Sequence, residues 1–139
     1  MDELHLRLTS DPRSVAVARH AVEELAGLAP EERADVALLI SELVTNSVRH
    51  GAEAGDPIDV RGYASAEVVR VEVRDTGAGF ARPRQPCPRF DDDEPGGWGL
   101  LLVDRLADRW GVARAGGTSV WFEIDRTGGR TLQPSAALA

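Results

Sequence analysis

The chain has 139 residues, of which 42% are hydrophobic and 28% charged, and its formal net charge is −7. This composition is typical of one globular domain, and it disfavours nucleic acid or an acidic membrane surface as the main partner. All sixteen basic residues are arginine, so the lack of lysine excludes a Schiff-base mechanism and a P-loop with its GK[ST] lysine.

Cysteine usage and the N-terminus exclude two further classes of protein. Cys87 is the only cysteine, which excludes a disulfide within the chain and a cysteine cluster for zinc. The first eight residues, MDELHLRL, begin with acidic residues where a signal peptide has a basic region, and no apolar run approaches the roughly 20 residues of a membrane span. We therefore expect a reducing, cytoplasmic setting.

The N-terminal part of the chain predicts a strand and two helices. Alternating apolar residues over 4–8 predict a short strand. The next helix has Asp11 as its cap and Pro12 at its first position, and it ends at Gly27. A longer helix is predicted over 30–50, because acidic residues in its first turn complement the helix dipole and an apolar stripe follows.

The pattern then changes to strands. We predict strands around residues 58–60, over 67–74 and over 120–124. Residues 81–95 are rich in proline and acid and predict an irregular loop. Four apolar residues at helical spacing, from Leu100 to Trp110, predict a third helix that ends at Gly111.

The order of these elements predicts an α/β (α+β) two-layer sandwich, with a mostly antiparallel sheet and helices on one face. We expect one domain over residues 1–126 and a flexible tail over 127–139.

The long helix carries the first candidate for chemistry. Glu42, Asn46 and His50 recur every four residues and share one helix face. An ordinary polar face toward water explains such a triplet when it stands alone. In the functional interpretation, Asn46 offers the oxygen that Mg²⁺ prefers, and Glu42 orients or deprotonates a nucleophile.

Residues 75–80, DTGAGF, follow the clearest predicted strand. As structure alone, they form a tight turn in which Asp75 binds its own backbone. In the functional interpretation, Asp75 accepts a hydrogen bond from a ligand amine, while Gly77 and Gly79 let the backbone approach a flat ring.

The stretch GGWGL at 96–100 opens the third predicted helix. Its free backbone N–H groups and the helix dipole attract an anion, although a flexible hinge is the structural alternative. A full GxGxxG pattern is missing and no strand leads directly into this stretch, so a Rossmann site is disfavoured.

In this order, the segments resemble the GHKL (Bergerat-fold) ATPases over about residues 4–125. The matching positions of the N box and the three glycine-containing boxes are Glu42 and Asn46; Asp75, Gly77 and Gly79; Gly97 and Gly99; and Gly117 with Thr118.

The resemblance implies ATP and Mg²⁺ as cofactors. In that family, the residue at Asn46 binds Mg²⁺, the residue at Asp75 accepts the adenine amino group, and the threonine at Thr118 supports that contact through the base. The segment 81–96 corresponds to the ATP lid. The phosphates are held by the glycines and helix start that follow, at Gly97, Gly99 and Leu100.

Among these ATPases, the compact chain is most similar to the anti-sigma-factor serine/threonine kinases of bacterial partner-switching systems. The resemblance implies that it sequesters a sigma factor and phosphorylates a STAS-domain anti-anti-sigma protein, with Glu42 as the general base. It also implies a homodimer, and no direct nucleic-acid or membrane partner.

A binding module without catalysis is the alternative. The lid carries the acidic run DDDE at 91–94, which repels a triphosphate unless it faces away, and Trp98 is bulky for a phosphate loop. Such a module regulates only by binding a protein, whether a sigma factor or another partner. Arg19 and Arg49 are candidate cations for the terminal phosphate, with an ordinary surface role as the alternative.

Overall fold

The computed structural model describes residues 2–51, 53–77, 97–114 and 116–126. Within these residues, no helix is long and apolar enough to cross a membrane. The elements in chain order are β1 (Asp2–Thr9), α1 (Arg13–Ala21), a 3₁₀ turn (Val22–Glu24), α2 (Pro30–Asn46), a π-helical turn (Ser47–Gly51), β2 (Pro57–Ala64), β3 (Val68–Asp75), α3 (Gly97–Leu106), β4 (Arg109–Arg114) and β5 (Thr118–Asp125).

The strands form one antiparallel sheet in the order β1-β2-β3-β5-β4. Every second residue of β3 and β5 is buried, as are Ile58, Val60 and Ala64 of β2, and the apolar ones share one core with the apolar stripes of the helices. On the other face, Arg70 lies 4.5 Å above the Trp121 ring and pairs with Glu123 at 2.9 Å. The structure confirms the predicted two-layer α/β sandwich.

The structure confirms the predicted first helix as α1. The Asp11 carboxylate accepts the Arg13 backbone N–H at 2.8 Å, as expected of a residue that starts a helix. The helix continues into the 3₁₀ turn, and Gly27 follows with a φ of +83°, a conformation that favours glycine. The chain is thereby turned toward the start of α2.

The start of α2 is fixed by a buried ion pair. Glu32 accepts the Ala29 backbone N–H at 2.8 Å and pairs with Arg126 at 3.1 Å. Arg126 also donates to the carbonyl oxygens of Gly27 at 2.8 Å and Ser65 at 2.7 Å. Burial acts to raise the pKa of the Glu32 carboxyl, but the hydrogen bonds from Arg126 and Ala29 hold that pKa below its ordinary value.

The prediction of a helix that ends at Gly111 is wrong beyond Leu106. The chain turns after α3 and forms β4, which covers the edge of β5 and pairs Trp110 with Phe122. A Cβ at Gly111 would lie 3.0 Å from the Trp121 ring, so glycine allows the two strands to pack closely here. Sheet pairing outweighs the helical spacing of the apolar residues.

Some predictions lie outside the described residues. These are Gly79, the loop over 81–95 and lid over 81–96, Cys87, and the tail over 127–139.

Candidate functional site

Asp75, the last residue of β3, is the centre of the site, and only 3% of it is exposed. The Ser47 hydroxyl donates to its Oδ2 at 2.7 Å, and the Gly77 backbone N–H donates to its Oδ1 at 2.8 Å. An ionised carboxylate accepts about four hydrogen bonds, so Asp75 retains capacity for a donor from a ligand.

Strand β5 places Thr118 beside Asp75. Thr118 is directly opposite Asp75 in the sheet register, and its hydroxyl donates to the Gly77 carbonyl oxygen at 3.4 Å. Gly117 precedes it with a φ of +143°, and a Cβ there would lie 2.4 Å from the Asp75 carbonyl oxygen. The structure therefore brings together three predicted site residues, Asp75, Gly77 and Thr118.

Asn46 ends α2 immediately before the serine that binds Asp75, and it is 3% exposed. Its side-chain amide makes no hydrogen bond with any residue that the structure describes. Because a buried polar group without a partner costs about 1–3 kcal/mol, a bound ligand at this amide would relieve a penalty. Mg²⁺ prefers oxygen ligands such as an amide oxygen, so Asn46 fits the predicted Mg²⁺ site.

Glu42 lies one helical turn before Asn46 on α2 and is partly buried. It forms no ion pair or side-chain hydrogen bond with the described part of the chain. Burial raises the pKa of its carboxyl above the ordinary value. A carboxylate with a raised pKa and no competing partner is a stronger base than an exposed glutamate.

The π-helical turn Ser47–Gly51 follows α2 and lies against Asp75. A Cβ at Gly51 would lie 2.4 Å from Asp75 Oδ2, so only glycine allows the turn to approach the carboxylate this closely. Single π turns are frequent at functional sites. The motif pattern did not mark Ser47 or Gly51 as site residues, although both adjoin the predicted motif.

The other predicted site residues lie at the start of α3 and at the end of the π turn. Gly97, Gly99 and Leu100 lie in the first turn of α3, where backbone N–H groups have no partner within the helix. Arg49 and His50 are exposed at the end of the π turn. The described residues show no contact that assigns any of them to the Asp75 site.

Comparison with known proteins identifies the family. Residues 8–124 match the model of the histidine kinase-like ATPase domain. The chain belongs to this family. The resemblance to GHKL ATPases of the anti-sigma kinase type is thereby confirmed.

Relatives from two genera support this result. The chain is 31% identical over 121 residues to "Serine-protein kinase RsbW" of Listeria monocytogenes serovar 1/2a, a match covering 77% of this chain and 76% of the relative. A protein of the same name from Oceanobacillus iheyensis is 26% identical over 120 residues, with the same coverage.

A solved structure carries the same fold. The blue-light activated histidine kinase of Erythrobacter litoralis EL346 superposes with a TM-score of 0.59 at 25% identity. The match covers 86% of this chain but 41% of that protein.

Proposed function

We propose that this chain is an ATP-dependent protein serine/threonine kinase that regulates a partner by phosphorylation and by binding. One observation carries the proposal: the buried amide of Asn46 directly precedes Ser47, which holds the buried carboxylate of Asp75. The residue that offers an oxygen to a metal is thus next in sequence to the residue that holds the acceptor for the adenine amino group. Similarity to the serine-protein kinase RsbW of Listeria supports the reaction class.

The binding roles follow from the chemistry of each group. Asp75 accepts a hydrogen bond from the amino group of adenine, and Gly77 and Gly79, which carry no side chain, suit the approach of the flat ring. Thr118 supports the same contact from β5. The phosphates lie near the first turn of α3, at Gly97, Gly99 and Leu100.

The transfer uses two residues of α2. Asn46 would hold Mg²⁺ through its side-chain oxygen, and an ion held there would supply neutralisation of the charge on the phosphates. Glu42 accepts the proton of the attacking hydroxyl, whose oxygen bonds to the γ-phosphorus as the bond to ADP breaks. Positioning and charge neutralisation supply most of the acceleration, and the base supplies a smaller part.

The proposed partners are a sigma factor and a STAS-domain anti-anti-sigma protein, which is the substrate. We also propose a homodimer that works in the cytoplasm. The net charge of −7 supports protein partners over direct contact with nucleic acid.

The test is incubation with γ-labelled ATP, Mg²⁺ and candidate STAS proteins. We expect label on a partner serine or threonine, and a Glu42→Gln rate lower by roughly 10²–10⁴-fold because the base is removed. Glu31→Gln is the matched control, since Glu31 is exposed in the first turn of the same helix. The control should transfer at the wild-type rate.

Two outcomes contradict the proposal in different ways. Tight partner binding with no transfer over hours favours the non-catalytic binding module. Transfer at the wild-type rate by Glu42→Gln removes the general-base assignment and leaves the kinase reaction standing.

A further inference from the structure

Ser47, the first residue of the π turn, donates its hydroxyl to a different element of the fold. The hydroxyl-bearing residues of α2 do not. Ser47 is 4% exposed and donates to Asp75, 28 residues away. Ser41 and Thr45 donate instead to carbonyl oxygens of the helix itself, at Leu38 and Ser41. The Ser47 hydroxyl therefore serves Asp75 rather than the helix.

The Asp75 carboxylate is confined from several directions. Ser47 donates to Oδ2 and the Gly77 N–H donates to Oδ1. The Gly51 backbone closes a third side, because a Cβ there would lie within 2.4 to 2.9 Å of the carboxylate atoms. These contacts define the orientation of both oxygens.

We propose that Ser47 is a positioning residue that sets the base specificity of the site, an inference that rests on the proposed binding of ATP. Two donors from the chain keep Asp75 in one orientation as a hydrogen-bond acceptor, so the ligand has to offer a donor to it. An exocyclic amine on a purine satisfies this demand. A purine without that amine leaves the carboxylate with an unmet bond, and sites of this kind reject such ligands.

The test compares two nucleotides by calorimetry in Mg²⁺: ATP, and purine riboside triphosphate, which lacks the exocyclic amine. We expect Ser47→Ala to weaken ATP binding about 10-fold or more, because Asp75 loses a hydrogen bond that orients it. Binding of purine riboside triphosphate should change by less than about 2-fold, since it makes no bond to Asp75. The preference for ATP therefore shrinks.

Two variants separate positioning from structure. Ser47→Thr retains the hydroxyl and should restore the preference for ATP. Ser41→Ala removes a buried hydroxyl from the same helix that does not contact Asp75, and it should leave both affinities unchanged.

An unchanged preference in Ser47→Ala overturns the inference. An equal loss for both nucleotides also overturns it, because general loosening of the site would weaken both. Should Ser47→Ala fail to fold in circular dichroism, Ser47→Cys keeps a similar volume with a much weaker donor, and an unchanged preference there overturns the inference. Wild-type protein that binds neither nucleotide contradicts the proposed function itself, a distinguishable result.

Discussion

At the scale of single residues, the Glu42 carboxyl, the proposed general base, lowers the stability of the fold when it is ionised. Burial raises its pKa in the folded protein above the unfolded value. The folded state therefore binds this proton more tightly, and stability falls as pH rises through the raised pKa. The ionised form of Glu42 is therefore a cost to folding.

We therefore expect Glu42→Gln to melt at a higher temperature than wild type at about pH 7.5. The difference should decrease toward about pH 4, where the wild-type carboxyl is protonated. Thermal melts across this range give the measurement. A lower melting temperature for Glu42→Gln at neutral pH would show that the carboxylate makes a net stabilising contact.

The sequence predicted the motif residues as site candidates, but it did not predict the residues that position them. Residue type and spacing mark Asn46 and Asp75 as site candidates, and the structure links the two segments through the hydrogen bond from Ser47 to Asp75. Nothing local marks Ser47 or Gly51, because their roles depend on which strand meets the end of α2. That meeting is set by tertiary packing.

At the scale of elements, the Glu32–Arg126 pair fixes the start of the helix that carries Glu42 and Asn46. Arg126→Met removes the ion pair and two bonds to carbonyl oxygens, leaving a buried carboxylate unpaired. We expect a loss of about 3–5 kcal/mol in the free energy of unfolding at neutral pH.

The sign of the pH dependence follows from the lowered pKa of Glu32. Such a group contributes stability above its unfolded pKa, and this is lost as pH falls through the lower folded pKa. The deficit of Arg126→Met should therefore shrink in acid, as urea unfolding at several pH values will measure. Arg61→Met, from an exposed ion pair with Asp59, is the control and should change stability little. A pH-independent deficit would contradict this account.

Prediction of elements succeeded where sequence pattern and packing agree. The long helix has a proline start, an acidic first turn and a continuous apolar stripe, and α2 with its π turn spans residues 30–51. The region around Trp110 fits two patterns, because Trp110 continues a helical stripe and also alternates with Val112. The exposed edge of β5 decides for a strand, and a single sequence does not show that edge.

At the scale of the whole molecule, three separate elements meet at one carboxylate. β3 supplies Asp75, the π turn after α2 supplies Ser47, and β5 supplies Thr118 opposite Asp75. The chain has a net charge of −7 and no lysine, so an anionic nucleotide depends on local groups rather than on the overall field. In the proposed site, these groups are Mg²⁺ on Asn46, backbone N–H groups and arginine.

The most direct test of this account is calorimetric titration of the wild-type protein and Asp75→Asn with MgATP. We predict that the wild type binds and that Asp75→Asn binds more weakly by about 1–3 kcal/mol, or roughly 5- to 150-fold in Kd. Asp59→Asn, an aspartate of β2 that pairs with Arg61, should bind as the wild type does. Equal affinity of Asp75→Asn and wild type, or no binding by the wild type, would contradict the account.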